Sequence, residues 1–261
     1  MTFDTSSISI IGVIPAHLAS VRYPGKILVD IHGIPMIEHV RRRALLCSGL
    51  SRVLVATCDK EIAGAVHSYG GDVILTSNVH RNGTSRVAEA TASIECSHIV
   101  LLQGDEPLLL PRHVDELVNS IHSHPEAPAW NATASITSPD QLDRASFVKC
   151  SISPSGKIMY CYRRSPSFSS FSDQLSYTRK ILGLIAFKKS FLQEIVSLPP
   201  SLVEQAESIE QMRIIESGYN LLSVPVAPSL PSVNEPHEML PILSVLENDE
   251  EQKYLLSKIL S

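Results

Sequence analysis

The chain has 261 residues, of which 44% are hydrophobic and 19% are charged, and its formal net charge at pH 7 is −5. This composition is typical of a globular protein with a substantial core. The negative balance argues against a nucleic-acid or anionic-membrane surface, which requires clustered cations. No apolar run approaches the roughly 20 residues that cross a bilayer, and Met1 to Asp4 lack the basic start of a signal peptide. We therefore expect a cytoplasmic protein that neither inserts into membranes nor binds nucleic acid.

The first half of the chain alternates apolar strand patterns with helical patterns. The predicted elements are a strand over Ile8 to Ala16, a helix over Met36 to Leu46, a strand over Arg52 to Thr57, a helix from the cap Asp59 to Ser68, a strand over Asp72 to Thr76, a helix over Thr84 to Ser93, a strand over His98 to Gln103 and a helix over Pro111 to Ser123. Because the strands are apolar on both faces, they indicate an α/β fold with a mainly parallel sheet and helices on both faces. Ligands of such sheets bind beyond the carboxyl ends of the strands.

The second half contains more β-branched residues and more turns. The predicted elements are strands over Asn131 to Thr137 and Val148 to Ile152, a turn over Ser153 to Lys157, a strand over Ile158 to Tyr162, an exposed loop over Pro166 to Ser176, helices over Phe191 to Ser197, Val203 to Glu216 and Pro241 to Leu260, and a strand over Asn220 to Ala227. The turn between two strand patterns predicts a β-hairpin. The five cysteines are scattered and form no C-x-x-C pair, so we expect reduced thiols.

The segment ASVRYPGK, Ala19 to Lys26, directly follows the first predicted strand. Gly25 allows a positive φ and close backbone approach, while Arg22 and Lys26 supply cations for a polyphosphate. By itself, this composition is explained at least as well by an ordinary surface loop. It is not a Walker loop, which requires G-x-x-x-x-G-K-[ST].

The segment QGDEP, Gln103 to Pro107, follows the apolar strand that ends near Leu102. It carries Asp105 to the same edge of the predicted sheet. A carboxylate there is costly to desolvate unless it meets a cation or good donors, so Asp105 is either a helix cap or a metal ligand. Together with the cationic glycine loop, it predicts a nucleoside triphosphate held with Mg²⁺.

Four segments resemble, in this order and at this spacing, the motifs of the 3-deoxy-manno-octulosonate cytidylyltransferases, also called CMP-Kdo synthetases. They are ASVRYPGK, HRNGTSR (His80 to Arg86), QGDEP and ESIEQMR (Glu207 to Arg213). The resemblance extends from about residue 8 to residue 240. It implies a nucleotide-diphospho-sugar transferase (glycosyltransferase-A-like) fold in one domain over 1–261, with a nucleotide-binding half over about 8–130 and a sugar-binding and dimerisation half over about 131–240.

The same resemblance implies a reaction and its partners. CMP would be transferred from CTP to the anomeric hydroxyl of 3-deoxy-manno-octulosonate (Kdo), releasing pyrophosphate and forming CMP-Kdo for lipopolysaccharide synthesis. The enzyme would depend on Mg²⁺ and form a homodimer through the hairpin region.

The resemblance further assigns roles to individual residues. The implied catalytic residues are Lys26, Arg22 and Asp105. The implied substrate-binding residues are Ser20 and Gly25 at the triphosphate, Gly83, Thr84 and Arg86 on the cytidine side, Gln103 at the sugar or ribose, Arg163 at the sugar carboxylate, and Glu210 and Gln211 at the sugar hydroxyls. The implied metal ligands are Asp105 and Asn234.

The chain departs from the family pattern at several positions. The family usually carries Arg at position 17, Glu at 85, His at 181, Tyr at 185 and Asp at 234, where this chain has His17, Ser85, Ile181, Ile185 and Asn234. An asparagine can still coordinate Mg²⁺ through its amide oxygen, but it brings no charge. Three interpretations remain open: a Kdo cytidylyltransferase, a cytidylyltransferase for a related ulosonic acid such as an amino-deoxy Kdo, and a nucleotide-binding homologue with little turnover.

Other functional classes lack their motifs. No G-x-S-x-G elbow of a serine hydrolase is present, since Ser85 lies in Gly83 to Arg86 at the start of a predicted helix. No G-x-G-x-x-G follows the first strand, which argues against a dinucleotide-dependent dehydrogenase. The histidines form no H-x-x-x-H pair on a predicted helix, so a histidine metal centre is not indicated. Trp130 is expected to lie in the core.

Overall fold

The computed structural model describes residues 8–80 and 82–261. The amino-terminal residues considered for a signal peptide, and Arg81 of the HRNGTSR motif, lie outside the described residues. The strands are β1 (Ile10–Ala16), β2 (Asp30–Ile31), β3 (Ile34–Pro35), β4 (Arg52–Thr57), β5 (Asp72–Leu75), β6 (His98–Leu102), β7 (Ala129–Ser135), β8 (Lys149–Ile152), β9 (Ile158–Tyr162), β10 (Thr178–Lys188) and β11 (Leu221–Pro225). The helices are α1 (Met36–Ala44), α2 (Lys60–Ser68), α3 (Gly83–Thr91), α4 (Pro111–Ser123), α5 (Pro139–Asp143), α6 (Phe171–Gln174), α7 (Lys189–Ser197), α8 (Leu202–Glu207), α9 (Gln211–Glu216), α10 (Met239–Asn248) and α11 (Glu250–Leu260), with 3-10 helices at Lys26–Leu28 and Pro236–Glu238.

The chain forms two compact units. The first contains the residues up to Asp115 together with Leu230–Ser261, and the second contains Glu116–Ser229. In the first unit, β1 pairs in parallel with both β6 and β4, and β4 pairs in parallel with β5. β1 and β6 read as continuous apolar runs because they are buried throughout, and Val13 and Ile14 of β1 are fully inaccessible, whereas the edge strand β5 is partly exposed. The predicted strand and helix alternation of this part is confirmed.

The second unit is built around β10, which the sequence analysis did not predict. β10 pairs antiparallel with β7 and β8, β8 pairs antiparallel with β9, and β11 runs parallel to β7. The β8–β9 hairpin confirms that prediction, and Trp130 is fully buried as expected. The α/β class with a mainly parallel sheet is thus confirmed, with antiparallel pairing concentrated in this unit. The dimerisation role of the hairpin stays a prediction.

Two predicted helices are each broken in two. The helix predicted over Val203 to Glu216 is interrupted at Ser208, whose φ of 53° is left-handed and cannot continue a helix. The helix predicted over Pro241 to Leu260 is interrupted at Asp249, whose side chain accepts a hydrogen bond from the backbone N–H of Gln252 at 2.9 Å. Asp249 therefore caps a new helix, although apolar periodicity continues on both sides.

The predicted loop over Pro166 to Ser176 contains the short helix α6 and is not exposed throughout. Gln174 is buried, its amide nitrogen donates to the Ser169 carbonyl at 2.8 Å, and its amide oxygen accepts from the Ser165 hydroxyl at 2.6 Å. Phe168, in contrast, is fully exposed. The buried Gln174 side chain therefore ties Ser165 and Ser169 to α6.

None of the helices among the described residues is both long enough and apolar enough to cross a membrane. All five cysteines are free thiols, and Cys47, Cys150 and Cys161 are buried.

Helix α1 buries His39 completely, and the ring donates from Nε2 to the Ile31 carbonyl at 2.7 Å. Burial, with a smaller contribution from the nearby Arg43 guanidinium, lowers the pKa of His39 to about 4, although the hydrogen bond to Ile31 opposes this shift. The ring is therefore neutral in the folded protein at pH values well below its ordinary pKa of 6.5.

We expect His39 to make the protein less stable as the pH falls from 6.5 towards 4. In this window the unfolded chain binds a proton that the folded protein does not, so acid favours unfolding. Between pH 7 and pH 5 this difference corresponds to about 2 kcal/mol. His39→Gln keeps a donor for the Ile31 carbonyl but does not titrate. Urea unfolding at both pH values should show that the variant lacks this part of the pH dependence. A variant with the same loss of stability between pH 7 and pH 5 as the parent protein would contradict the assignment.

Candidate nucleotide site and sugar-side residues

The loop after β1 folds back on itself before the 3-10 helix at Lys26–Leu28. Gly25 has a φ of 72°, and its N–H donates to the Leu18 carbonyl at 3.0 Å. The N–H of Ser20 donates to the same carbonyl at 2.9 Å. Gly25 thus adopts the positive φ that glycine allows, and another residue there would cost about 1 kcal/mol in backbone strain. This tight loop places Ser20, Arg22 and Lys26 together at the carboxyl end of a buried strand.

Lys26 connects three segments of the first unit. Its Nζ donates to Asp105 Oδ2 at 2.5 Å and to the Val233 carbonyl at 2.8 Å, and the residue is only 8% exposed. The N–H of Val233 in turn donates to the Asp105 carbonyl at 2.9 Å. Asp105 therefore meets the cation that its position requires. An ion pair this sheltered is screened less than a surface pair, so its charges act strongly on one another.

Arg22 contacts the second candidate metal ligand. Its Nη2 donates to Asn234 Oδ1 at 2.9 Å, and the Asn234 amide donates to the Ser232 hydroxyl at 3.2 Å. The backbone N–H of Asn234 donates to a Glu238 carboxylate oxygen at 2.6 Å, which fixes the turn before the 3-10 helix. Two cations, one carboxylate and one amide thus lie close together in the first unit.

This group of side chains fits a metal that is shared with a ligand. Asp105 and Asn234 offer a carboxylate and an amide oxygen, which are hard donors that suit Mg²⁺, and each now accepts from a cationic side chain. Within residues 8–80 and 82–261, no group of three or more His, Cys, Asp or Glu residues could hold a metal. Since Mg²⁺ is commonly held by one or two carboxylates plus substrate phosphates, these donors suit a metal that arrives with a triphosphate.

Gly104, in the loop between β6 and Asp105, is closely packed. A Cβ on Gly104 would lie 3.1 Å from Ile27 Cδ1 and 3.2 Å from Ile37 Cδ1, so little room exists for a side chain. Gln103, immediately before it, is half-buried. Glycine at this position therefore lets the QGDEP segment approach the Lys26 helix closely.

Helix α3 begins against β1. A Cβ on Gly83 would lie 2.9 Å from Pro15 Cγ, and Thr84 follows in the first turn. Arg86 is 4% exposed, and its Nη1 donates to the Thr76 hydroxyl at 2.6 Å and to the Ser77 carbonyl at 3.3 Å. Arg86 thus anchors the segment after β5, and its predicted place on the cytidine side stays a prediction.

The side chain of Asp59 does not cap α2 as predicted. Asp59 occupies the N-cap position, but its Oδ2 accepts from the Leu18 N–H at 2.8 Å and so supports the loop after β1.

His17 also lies in this loop, and partial burial lowers its pKa. The cations of Arg86 and Lys26 lower the pKa further, while the carboxylates of Asp59 and Asp105 oppose the shift. His17 is therefore neutral at pH 7 and adds no charge to the loop.

In the second unit, Arg163 is held by backbone carbonyls. Its Nε donates to Glu207 O at 2.7 Å, and its Nη1 and Nη2 donate to Ala145 O at 2.9 Å and to Ser208 O at 3.0 Å. Lys149 is fully buried and donates to the carbonyls of Arg144 and Arg163, and burial lowers its pKa to about 8. In this structure both cations stabilise the segments around the hairpin, and contact of Arg163 with a sugar carboxylate stays a prediction.

Gln211, at the start of α9, is oriented by a buried asparagine. Its Nε2 donates to Asn131 Oδ1 at 3.0 Å, and the Asn131 amide donates to the Leu182 carbonyl at 3.0 Å. Leu182 lies in a bulge of β10, where the register with β7 shifts between Ile181 and Ile185. Ile181 and Ile185, which stand where the family has polar residues, therefore flank the bulge. Glu210, the residue before Gln211, is exposed.

Sequence reasoning missed two features of the first unit. One is the Val233 carbonyl, which no side-chain motif could reveal. The other is a chain of three side chains, in which the Ser85 hydroxyl lies 3.1 Å from His80 Nδ1 and His80 Nε2 contacts Glu89 Oε2. The spacing of Ser85 and Glu89, four residues apart on α3, is a signal that places both on one helix face.

A family model described as cytidylyltransferase matches residues 11–222. Among curated relatives, an Escherichia coli protein named 3-deoxy-manno-octulosonate cytidylyltransferase is 36% identical over 224 residues, covering 86% of this chain and 90% of its own. A protein of the same name from Chlorobium limicola is 37% identical over 229 residues, covering 87% of this chain and 93% of its own.

Solved structures agree with the sequence comparison. A CMP:2-keto-3-deoxy-manno-octonic acid synthetase complexed with CTP matches with a TM-score of 0.87 and 34% identity, covering 92% of this chain and 99% of that one. A cytidylyltransferase from Leptospira borgpetersenii matches with a TM-score of 0.65 at 14% identity, which shows a common fold. The predicted nucleotide-diphospho-sugar transferase fold is thereby confirmed.

Proposed function

Because the chain belongs to the cytidylyltransferase family, we propose that it transfers CMP from CTP to the anomeric hydroxyl of Kdo, releasing pyrophosphate and forming CMP-Kdo. The observation that carries this proposal is the contact of Lys26 with Asp105 and Val233, with Arg22 on Asn234 beside it. These residues form a compact cationic group with a carboxylate at the end of buried strands. The names of the relatives at 36% and 37% identity support the sugar acid.

In the proposed reaction the anomeric oxygen attacks the α-phosphorus of CTP and releases its proton to solvent. The bond from that phosphorus to the bridging oxygen breaks, and pyrophosphate leaves with the electron pair. Lys26 and Arg22 stabilise the negative charge that grows on pyrophosphate. No covalent intermediate with a protein side chain is needed.

We propose Mg²⁺ as the cofactor, with Asp105 and Asn234 as its protein ligands. When bound, it would supply neutralisation of phosphate charge and orientation of the phosphate oxygens. In the present structure Lys26 and Arg22 satisfy the oxygens of both ligands. If the Lys26 and Arg22 side chains bound the phosphates of CTP instead, Asp105 and Asn234 would be available to the metal.

On the sugar side, we propose that Gln211 contacts hydroxyl groups of the acceptor. Since its Nε2 donates to Asn131, its amide oxygen is directed away from that contact and can accept from a hydroxyl. Ile185 is 8% exposed and Ile181 is half-buried, so neither provides a polar group to a sugar. Because these two positions lack the polar groups that the resemblance implies for a Kdo site, we propose a related ulosonic acid, such as an amino-deoxy Kdo, as the second candidate substrate.

We further propose a homodimer formed through the β8–β9 hairpin in a cytoplasmic enzyme whose product serves lipopolysaccharide synthesis. Met159 and Tyr160 on β9 are 49% and 40% exposed, and such apolar side chains on a hairpin suit an interface between two copies of the chain.

The proposal is tested by measuring pyrophosphate release from CTP and Mg²⁺ with a panel of ulosonic acids. We expect release with Kdo or with an amino-deoxy Kdo, and none when the sugar acid is omitted. If CTP raises the melting temperature but no sugar acid supports release, the enzyme proposal is wrong and the chain is a nucleotide-binding homologue.

A further inference from the structure

Two of the buried cysteines lie directly opposite each other in the β8–β9 hairpin. Cys150 on β8 and Cys161 on β9 are register partners in this antiparallel pair. Both residues are 0% exposed, and both are free thiols. Side chains of directly opposite residues project from the same face of a sheet, so the two sulfur atoms are neighbours. Neither thiol has a part in the proposed reaction.

The backbone hydrogen bonds show which kind of cross-strand pair this is. The N–H of Cys161 donates to Met212 Sδ on α9 at 3.2 Å and therefore points away from β8. Cys150 is in register with Arg179 of β10 on its other side. Cys150 and Cys161 are thus a non-hydrogen-bonded pair, in which the two Cα atoms approach to about 4.5 Å. That separation lies within the roughly 4.4–6.8 Å that a disulfide bond requires.

Burial keeps both thiols protonated while the hairpin is closed. It raises the pKa of Cys150 to about 12, although the Arg179 guanidinium opposes the shift. It also raises the pKa of Cys161, and the neighbouring Cys150 raises it further. This effect of one sulfur on the other agrees with the short distance that the register implies. Because the thiolate is the reactive form of cysteine, the closed hairpin reacts slowly with oxidants.

The position of β9 gives oxidants a route to the thiols. Among the described strands β9 pairs with β8 alone, so it lies at an edge of the sheet. Proteins open locally, and segments with fewer contacts open more often than the core. Opening of β9 exposes the two thiols to water and restores their ordinary ionisation. When the strand closes again, an oxidised sulfur on one strand returns to the thiol opposite.

We propose that Cys150 and Cys161 form an oxidation site, a dithiol that a small peroxide converts into a disulfide across the β8–β9 hairpin. This site lies within the second unit and does not depend on the proposed reaction.

The oxidation takes place in two steps. One thiolate attacks a peroxide oxygen, the O–O bond breaks, and the hydroxide that leaves takes up the thiol proton, giving a sulfenic acid and water. The opposite thiol then loses its proton, and its sulfur attacks the sulfenic sulfur. The S–O bond breaks, and the hydroxide leaves with that proton as a second water. The two thiols lose two electrons in total, and hydrogen peroxide is reduced to water.

The full chain is treated with hydrogen peroxide, the remaining thiols are alkylated, and the unreduced peptides are analysed by mass spectrometry. The peroxide concentration is raised until the partly exposed Cys58 is oxidised. We expect the peptides that contain Cys150 and Cys161 to be cross-linked with the loss of two hydrogen atoms, and dithiothreitol to separate them. The cross-linked protein should melt about 5 °C above the reduced protein, because the bond restricts the unfolded chain.

Serine variants provide the controls. Cys150→Ser should show neither the cross-link nor the rise in melting temperature, whereas Cys58→Ser, outside the hairpin, should show both. If Cys150→Ser does not fold, Cys161→Ser takes its place, and the peptide map of the parent chain tests the site without any variant.

Recovery of Cys150 and Cys161 as alkylated thiols, under conditions that oxidise Cys58, would overturn the inference. Cross-links from these two residues to other cysteines, or a link between them that forms only after urea has unfolded the chain, would also overturn it. These measurements use neither CTP nor a sugar acid, so their failure would leave the proposed function intact.

Discussion

Lys26→Met is expected to lower kcat for pyrophosphate release by about 10²- to 10³-fold, the loss typical when a positioned group for developing charge is removed. Methionine keeps the length and most of the packing of lysine but has no ammonium group. The variant loses both the donor to Asp105 and the donor to the Val233 carbonyl. The leaving pyrophosphate then lacks its sheltered cation.

The change should appear mainly in kcat, because charge grows on pyrophosphate as the reaction proceeds. The variant will also melt at a lower temperature, since Asp105 loses its partner, so rates should be compared well below both melting temperatures. Lys60→Met, at an exposed position on α2, is the matched control and should leave the rate unchanged. A kcat for Lys26→Met within about fivefold of the parent would contradict the assigned role.

Asp105→Asn is expected to lower the rate of pyrophosphate release by about 10³-fold at millimolar Mg²⁺. The substitution preserves shape but removes the carboxylate that the proposed metal requires. Two amide oxygens, from positions 105 and 234, would be left beside Lys26 and Arg22, and the local charge would be strongly positive. We expect the variant to bind CTP in the absence of metal at least as tightly as the parent.

One measurement and one control variant separate this role from a loss of folding. Manganese binding in the presence of CTP can be followed by electron paramagnetic resonance. In Asp105→Asn, the affinity of the protein–CTP complex for manganese should fall towards the affinity that free CTP has for the metal. Asp140→Asn, at an exposed position in α5, should retain both rate and metal binding. If Asp105→Asn keeps the parental rate and the same dependence on Mg²⁺, Asp105 is not the metal ligand.

The parts of the fold that were predicted correctly are those in which local pattern and tertiary environment agree. The strands that contain Val13 and Leu101 are apolar on both faces because both faces are covered. Their sequences therefore predict a buried parallel sheet. Gly25 has the positive φ that its sequence position allowed, because glycine adopts this backbone conformation without strain.

The errors arose where one residue overrides a continuing pattern. The apolar periodicity runs through Ser208 and Asp249, and only the left-handed backbone of one and the capping bond of the other end the helices. The bulge in β10 accommodates extra residues between Ile181 and Ile185, which disturbs the alternation expected of a strand.

The site was predicted in part for a similar reason. Lys26 ends the loop after β1 and Asp105 lies in the loop after β6, so the parallel sheet brings both to one edge. The Val233 carbonyl comes from a segment 207 residues further along the chain than Lys26, and nothing local indicates it. The contact between His80 and Glu89 likewise depends on how the segment after β5 folds back on α3.

In the proposed reaction the anomeric oxygen of the sugar acid attacks the α-phosphorus of CTP. It is tested most directly with Kdo carrying ¹⁸O at the anomeric hydroxyl, followed by mass spectrometry of the products. We expect the label to lie in the CMP-sugar, bridging carbon and phosphorus, and to be absent from pyrophosphate. Labelled sugar acid recovered unchanged while CTP is consumed, or a product in which the bridging oxygen is unlabelled, would contradict it.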